Sequence, residues 1–342
     1  MSSHAVRSRD GDADSANVVN AASCSSMVLV IESSSSTLSY AAHARKVACP
    51  LEATARNYDR DVIDLHTHSR ASDGTEEPAL VMERAAQAGL DVVALTDHDT
   101  TLGWAEAAGA AVALGIVFVP GIEVSCSRRG RSIHLLAYLP DPAHPVLAAE
   151  LERARESRDT RLDRMVERMA ADGIPITAEA VWAEVSEGAT AGRPHIADAL
   201  VTARVVQHRD EAFATLLGND SPYYVGHYAP DPVRAVEVVR AAGGVPVIAH
   251  PWSGTRGRVV PDQLLEEMAA AGLAGVEVHH RDHDEEAVRH LTELARDLDL
   301  LVTGSSDYHG DGKLNRLGEH TTTPEVLQEI DSQGTGSRVV RP

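Results

Sequence analysis

The stretch that decides the fold is residues 61–74, DVIDLHTHSRASDG. Its apolar part, 62–65, predicts a short buried strand that leads directly into His66 and His68, with Asp73 in the loop beyond. Side chains two positions apart on an extended strand point the same way. The two imidazoles should therefore face one point, as they do in many metal sites.

The same pattern of a short apolar strand followed by an amphipathic helix recurs along the chain. The predicted strands are 62–65, 91–95, 116–122, 245–249, 276–278 and 301–304. The predicted helices between them are 78–89, 102–114, 261–271 and 285–298. Alternating strands and helices indicate an α/β fold with a parallel sheet or barrel.

Three segments break this rhythm. Residues 143–229 predict a helical insertion beside the barrel mouth, built on a long helix at 147–171 with shorter pieces at 178–187, 196–204 and 210–217. Residues 1–60, with twelve serines and balanced charge, predict a disordered N-terminal extension. Residues 321–342 are expected to form a C-terminal tail. The barrel would then consist of 61–142 and 230–320.

Composition narrows the class of protein. The 342 residues carry a formal charge of −20 at pH 7, which would repel a phosphate backbone, so no stable binding of duplex nucleic acid is expected. A phosphoester substrate would need bound cations. The three cysteines, Cys24, Cys49 and Cys126, show no paired spacing. No apolar run reaches the roughly 18 residues of a membrane span. We therefore expect a cytoplasmic protein with no membrane partner.

Each predicted strand runs into or contains potential metal ligands. Beyond the first strand these are Asp97, His98, Asp99, Glu123, His250, Glu277, His279, His280, His283, Asp307 and His309. The carboxyl ends of the strands form the active-site face of a β/α barrel, so these side chains should converge. A set of nitrogen and oxygen ligands without cysteine suits Zn²⁺, Mn²⁺ or Fe.

A hairpin argument adds His134 to this set. Glu123 and His134 flank a predicted turn at Arg128-Arg129 and are nearly symmetric about it. The two side chains should therefore face each other across the ladder.

Several motifs of the chain, taken together, resemble those of a known family. The motifs IDLHTHSRASDG (63–74), ALTDHDT (94–100), PGIEVS (120–125), IHLLAY (133–138), AHP (249–251) and GSSDYHG (304–310) resemble the polymerase-and-histidinol-phosphatase (PHP) family. Three more, GRPHIADALV (192–201), AGGVPVIAHP (242–251) and GVEVHHRDH (275–283), resemble its subgroup of 3′,5′-nucleotide bisphosphate phosphatases and short-RNA 5′ exonucleases. The resemblance covers about residues 61–320, and nothing resembles a polymerase domain.

The resemblance implies a distorted (β/α)7 barrel that holds two or three divalent metals (Mn, Fe or Zn). In this sequence the implied ligands of the first metal are His66, His68, Glu123 and Asp307. Glu123 would bridge to a second metal held by His134 and His250, and the third would be held by Asp73, His98 and His309. The chain departs from the family at His279 and Arg281, where members usually carry Tyr and Pro, and this departure concerns substrate preference.

Other residues near these motifs are expected to assist. Asp97 and Asp99 would orient a ligand imidazole or carry protons. Arg193 and His195 are candidates to clamp a second phosphate, because guanidinium matches phosphate bidentately. The alternative for Arg193 is a surface arginine at a helix start.

His280 and His283 would contact substrate, or else lie on the surface. The resulting hypothesis is a metal-dependent phosphoesterase acting on nucleoside 3′,5′-bisphosphates and on short RNA from the 5′ end. Two alternatives are a histidinol-phosphatase-type enzyme for small molecules and a non-catalytic metal-binding regulatory module. The long insertion favours a nucleotide-sized pocket, and the complete ligand set speaks against the regulatory module.

Overall fold

Seven strands form one sheet in which spatial order follows chain order. The structure, a computed structural model, describes residues 61–253 and 259–342, so the predicted N-terminal extension lies outside the described residues. The strands are β1 Ile63–Asp64, β2 Val92–Leu95, β3 Val117–Arg128, β4 Arg131–Tyr138, β5 Val245–Ile248, β6 Gly275–His279 and β7 Leu301–Gly304. The helices are α1 Pro78–Gln87, α2 Trp104–Leu114, α3 Pro145–Ala171, α4 Ala178–Trp182, α5 Arg193–Thr202, α6 Arg209–Ala212, α7 Pro232–Ala241, α8 Asp262–Ala270, α9 Glu285–Asp297 and α10 Pro324–Gln333.

The sheet curls into a nearly closed barrel. Strands β1 to β3 are parallel, as are β5 to β7, whereas β4 runs antiparallel to both of its neighbours. Beyond the ends of β1 and β7 the backbones of Thr67 and Tyr308 form a parallel bridge, and the His68 N–H donates to the Tyr308 carbonyl at 2.8 Å. The predicted distorted (β/α)7 barrel is confirmed, and the reversed β4 is the distortion.

Alternate strand residues separate into two packed layers, as the two-residue period of a strand requires. Val92 and Ala94 share one buried cluster with Val245 and Val247, whereas Val93 packs in another cluster with residues of α1 and α2. Apolar side chains fill both layers, so the barrel is solid below its carboxyl end. Among the described residues, no helix combines the length and apolarity needed to cross a bilayer.

The β3–β4 hairpin differs from its prediction by one residue. The turn lies at Arg129-Gly130, where both residues have positive φ (52° and 74°), as a type I′ turn requires. His134 therefore pairs with Ser125 in the ladder rather than with Glu123. Because the diagonal neighbour lies on the same face, the Glu123 and His134 side chains still meet.

The later turns of α3 and the helices α4 to α6 share an apolar core of their own, whereas α7 packs against the barrel. Leu162, Met165 and Leu200 belong to a buried cluster that is separate from those of the barrel. After α6 the chain continues as a π-helix, Phe213–Leu217. The insertion reaches the barrel mouth where the Arg209 guanidinium donates to the Asp73 carbonyl at 3.0 Å.

The segment 321–342, predicted as a C-terminal tail, is part of the barrel. Leu327 and Ile330 of α10 are fully buried in the cluster that contains Val92 and Ala94. Near the end of the chain, Val340 exchanges two backbone hydrogen bonds of 2.9 Å with Phe118 of β3. The tail prediction was wrong because these apolar positions have no strand-end motif to mark them as core.

Truncating Leu327 should therefore destabilise the barrel. We expect Leu327→Ala to lower the free energy of unfolding by about 2–5 kcal/mol, through lost burial and the cavity that remains. Urea unfolding followed by circular dichroism measures this. Gln328→Ala on the exposed side of the same helix is the matched control and should leave stability unchanged. A cost below about 0.5 kcal/mol, typical of surface positions, would show that α10 does not contribute to the core.

Candidate metal centre

The four side chains implied for the first metal meet at the carboxyl end of the barrel, and each is at most 1 % exposed. The Nε2 atoms of His66 and His68 are 3.1 Å apart. Their distances to Glu123 Oε2 are 3.3 and 3.0 Å, and both lie 3.5 Å from Asp307 Oδ1. Ligand atoms at 2.0–2.1 Å from a tetrahedral Zn²⁺ are roughly 3.4 Å from one another. The four atoms are therefore spaced as the corners of a cation site.

Glu123 lies between this group and a second one. Its Oε1 is 2.7 Å from His134 Nδ1 and 3.1 Å from His250 Nε2. Its Oε2, which faces the first group, is also 3.3 Å from His98 Nδ1. One carboxylate thus serves two neighbouring sets of imidazoles, which is the geometry of a bridging ligand.

Asp73 is the centre of a third group. Its Oδ1 lies 3.3 Å from His309 Nε2 and 3.6 Å from His68 Nδ1, and its Oδ2 lies 3.8 Å from His98 Nε2. His98 therefore faces Glu123 with one ring nitrogen and Asp73 with the other. The nine residues implied as ligands are all brought to one end of the barrel.

The donor chemistry of these groups fits divalent metals. The buried nitrogens His98 Nδ1, His134 Nδ1 and His309 Nε2 make no hydrogen bond with the described residues, although each has a carboxylate oxygen within 3.3 Å. His309 Nδ1 is 2.8 Å from the Asp307 carbonyl, which can only accept, so His309 Nε2 carries a lone pair. Lone pairs and carboxylates that converge without hydrogen bonding are suited to a shared cation. We propose the nine residues as metal ligands.

The electrostatic environment of these three groups favours bound positive charge. Burial raises the pKa of the Glu123 and Asp73 carboxyls, but the neighbouring imidazoles outweigh it and hold both pKa values well below the usual range. Burial lowers the pKa of His68, yet the carboxylates of Asp307 and Glu123 raise it to about 9. The Glu123 and Asp73 carboxylates are thus ionised at neutral pH.

Glu277, which the sequence analysis counts among the potential ligands without assigning it to a metal, lies behind the first group. It is fully buried on β6, its Oε1 lies 3.0 Å from His66 Nδ1, and its Oε2 accepts from the His250 backbone N–H at 2.8 Å. A carboxylate behind a ligand imidazole fixes the ring and raises its basicity. A carboxylate inside an otherwise apolar strand is the sequence signal for Glu277, but its partner His66 lies far away along the chain.

Asp97 and Asp99 hold loops rather than imidazoles. Asp97 accepts from the Ser69 N–H at 2.8 Å and the Ser72 hydroxyl at 2.6 Å. Asp99 accepts from the Ser125 N–H at 2.8 Å and pairs with an arginine of α3. Neither carboxylate hydrogen-bonds an imidazole among the described residues, and their role in orienting a ligand ring or carrying protons stays a prediction. Asp97 acts at one remove, through the Ser72 hydroxyl 3.4 Å from His68 Nδ1.

Two histidines predicted to contact substrate are occupied by backbone groups. His195 Nδ1 accepts from the Gly192 N–H at 3.0 Å, and the ring is 4 % exposed at the start of α5. His283 Nε2 accepts from the Trp252 N–H at 3.2 Å, and its Nδ1 lies 2.8 Å from the Val278 carbonyl. Backbone groups therefore occupy His195 Nδ1 and both ring nitrogens of His283, and a substrate contact of either ring stays a prediction.

His280, predicted to contact substrate or else to lie on the surface, is not a surface residue. Its ring is fully buried, its Nδ1 accepts from the Asp282 N–H at 3.0 Å, and its Nε2 lies 3.5 Å from Asp307 Oδ2. Because Nδ1 is an acceptor, Nε2 carries the proton and points at the carboxylate. His280 therefore helps to orient Asp307.

Strained backbone marks the same region. Asp99, His250 and Asp307 have positive φ values of 53°, 28° and 54°. Such conformations cost non-glycine residues about 1–3 kcal/mol and cluster at functional sites. Each of the three lies in the loop that follows a parallel strand, so the strain accompanies the turn of the chain into the site.

A cavity of about 680 Å³ opens over the ligands. Its wall combines His98, His134, His250 and His309 of the barrel with arginines of the insertion. Arg193 belongs to this wall, and its Nη1 donates to the Leu217 carbonyl at 2.7 Å and to Asn219 Oδ1 at 2.9 Å. The volume lies within the range of about 300–1,000 Å³ typical of small-molecule sites.

Removal of bound metal should lower the thermal stability of the protein. We expect protein as purified to contain two or three equivalents of Mn, Fe or Zn, and chelation to lower its melting temperature. A ligand present at 1,000 times its dissociation constant stabilises by about 4 kcal/mol. Elemental analysis and thermal unfolding, with Mn²⁺ or Zn²⁺ added back, measure both effects. Protein that contains no metal and melts at the same temperature after every addition would contradict the metal centre.

Comparison with known proteins agrees with this site. The PHP domain family model matches residues 64–154. A 3′,5′-nucleoside bisphosphate phosphatase of Chromobacterium violaceum is 36 % identical over 82 % of this chain and 98 % of its own length. A 5′-3′ exoribonuclease of Haemophilus influenzae is 32 % identical over 72 % of this chain and 89 % of its own.

A solved structure is similar as well. The crystal structure of a candidate metal-dependent phosphoesterase from Bifidobacterium adolescentis matches with a TM-score of 0.78 and 42 % identity. The match covers 80 % of this chain and 96 % of that one. The likeness therefore includes the barrel and the insertion, and not only the segment matched by the family model.

Proposed function

The chain belongs to the PHP-domain family, and on that premise we propose that it is a metal-dependent hydrolase of nucleotide phosphoesters. The observation that carries the proposal is the convergence of the ligand atoms of His66, His68, Glu123 and Asp307, all within 4.8 Å of one another, beneath a cavity lined by arginines. Divalent metal suits phosphoester hydrolysis because phosphate oxygens are hard anionic ligands.

Metals bound there supply a nucleophile at neutral pH and neutralise charge on the phosphoryl group. The residues of this chain position and shield that chemistry. Glu277 and His280 fix the orientation of His66 and Asp307, and Asp97 holds the loop that carries Asp73. The arginines of the insertion compensate the negative charge of the substrate, which an acidic protein surface would otherwise repel.

Nucleoside 3′,5′-bisphosphates, with release of the 3′-phosphate, are the substrates we propose first, and short RNA taken from the 5′ end second. The names of the two relatives support these classes, and both substrates share a ribose with a 5′-phosphate. Arg193 lies on the cavity wall, where a second phosphate would bind. We propose that these reactions take place in the cytoplasm.

The cavity favours nucleotides over a small zwitterion such as histidinol phosphate. Arginines from α3 and α5 line it together with the predicted ligands, and a nucleotide-sized volume is available. The complete ligand set likewise favours catalysis over a non-catalytic metal-binding role.

A substrate panel tests the proposal. With Mn²⁺ present, we expect phosphate release from adenosine 3′,5′-bisphosphate to exceed that from 3′-AMP, 5′-AMP and histidinol phosphate by at least about tenfold in kcat/KM, which corresponds to one charged hydrogen bond. A 5′-phosphorylated oligoribonucleotide tests the second substrate class. Preference for histidinol phosphate would overturn the nucleotide assignment, and no hydrolysis of any phosphoester with any metal would overturn the enzyme itself.

A further inference from the structure

The cationic side chains that line the cavity differ in whether a nearby carboxylate neutralises their charge. Within residues 61–253 and 259–342 these cations are Arg158, Arg161, Arg193, Arg209, Arg281 and Lys313. Four form ion pairs, namely Arg158 with Asp99, Arg209 with Asp198, Arg281 with Glu319 and Lys313 with Asp307. Among the described residues, Arg161 and Arg193 have no carboxylate partner.

Arg161 is the more unusual of the two because it is 5 % exposed. Its one hydrogen bond within the described part of the chain joins Nη1 to His227 Nδ1 at 3.1 Å, and its buried Nε has no partner there. Burial and the charges of Arg158 and Arg193 lower the pKa of Arg161 well below its usual range. A guanidinium held in this way lacks the anion that buried charges normally require.

The tautomer of His227 follows from this contact. A guanidinium can only donate, so His227 Nδ1 accepts and Nε2 carries the hydrogen. Nε2 is also buried without a hydrogen-bond partner among the described residues. Burial and the three neighbouring arginines lower the pKa of His227 to about 2, so the ring stays neutral. Two adjacent residues of the cavity wall therefore hold N–H donors without an acceptor.

We infer that Arg161 and His227 form a subsite for the non-reacting phosphate of the substrate, with Arg193 as the neighbouring cation. The inference rests on the proposed function and adds the residues that select a doubly phosphorylated substrate. A phosphate offers only acceptors and negative charge, which is what the two residues lack. The shared ligand chemistry is a ribose 5′-phosphate, from a free nucleoside bisphosphate or from the 5′ end of RNA.

The test compares substrates that differ by this one phosphate, using Mn²⁺-loaded enzyme. Arg161→Gln should lower kcat/KM for adenosine 3′,5′-bisphosphate by about 10–100-fold, the loss expected for a charged hydrogen bond, and for 3′-AMP by less than threefold. Inhibition by the product 5′-AMP should weaken by the same factor as the bisphosphate reaction. Arg164→Gln, on the exposed face of α3, is the matched control and should change neither substrate.

His227→Gln is a second test that does not depend on the folding of the arginine variant. Its kcat/KM should also fall more for adenosine 3′,5′-bisphosphate than for 3′-AMP, but by a smaller factor than in Arg161→Gln. A 5′-phosphorylated and a 5′-hydroxyl dinucleotide distinguish the two sources of the ligand, since only the phosphorylated one should be affected. Equal losses on adenosine 3′,5′-bisphosphate and 3′-AMP in both variants would overturn the subsite while the phosphoesterase stands. Failure of the unaltered enzyme on every substrate would instead count against the proposed function.

Discussion

Asp307→Asn and His68→Ala are expected to lower kcat/KM by on the order of 10³-fold or more, since each removes a proposed ligand of the metals on which the chemistry depends. The two side chains approach each other to 3.5 Å across the first group, and both are buried. Asparagine preserves the shape of Asp307 but not its charge. A loss of activity in this variant would therefore reflect weakened metal binding and not altered packing. Phosphate release under saturating Mn²⁺ measures the effect.

The folded state should survive both changes. Neither residue belongs to an apolar cluster of the barrel, and the far-ultraviolet circular dichroism spectrum should match that of the unaltered protein. Asp311→Asn, on the exposed loop that follows the site, is the control and should retain full activity. Undiminished turnover in Asp307→Asn together with an unchanged metal content would contradict the assignment of the first metal group.

Arg158→Met is expected to lower the free energy of unfolding by about 3–5 kcal/mol, because it leaves the Asp99 carboxylate buried without its charged partner. Arg158 Nε donates to Asp99 Oδ2 at 2.9 Å, and the side chains are 8 % and 0 % exposed. The pair joins α3 of the insertion to the strand end of the barrel. Its loss should therefore loosen the attachment of the insertion to the site.

Urea unfolding measures this cost, and Arg164→Met on the exposed face of α3 should leave stability nearly unchanged. Combining Arg158→Met with Asp99→Asn should recover part of the loss, since the remaining amide is neutral and still accepts from the Ser125 N–H. A single-variant cost below about 1 kcal/mol, the range of surface ion pairs, would show that the pair is effectively solvated.

The positions of Arg158 and Arg161 show what a sequence pattern could have disclosed. Both fall on the stripe of α3 that includes Leu151, Ala154 and Leu162, spaced three or four residues apart and buried. Arginine on a buried stripe is rare without a partner. The charged composition of the whole helix masks this signal, whereas Arg193 stands in a recognisable motif.

The sequence by itself determined the barrel and the identity of the residues at its carboxyl end. Strands and helices have local periods of two and about 3.6 residues, and motifs such as His66-Thr67-His68 stand at strand ends within a few positions. These signals can be read without knowing which strands are neighbours. The proposed ligand residues could therefore be predicted together, whereas their contacts could not.

Only the tertiary structure decided which side chains support the ligands. His66 meets Glu277 across 211 positions, and Arg161 meets His227 across 66. Such pairs depend on barrel closure and on the docking of the insertion, which no local period records. Burial adds what no local pattern shows, because it places the rings of His195 and His283 against backbone groups and leaves Arg161 without a carboxylate partner among the described residues.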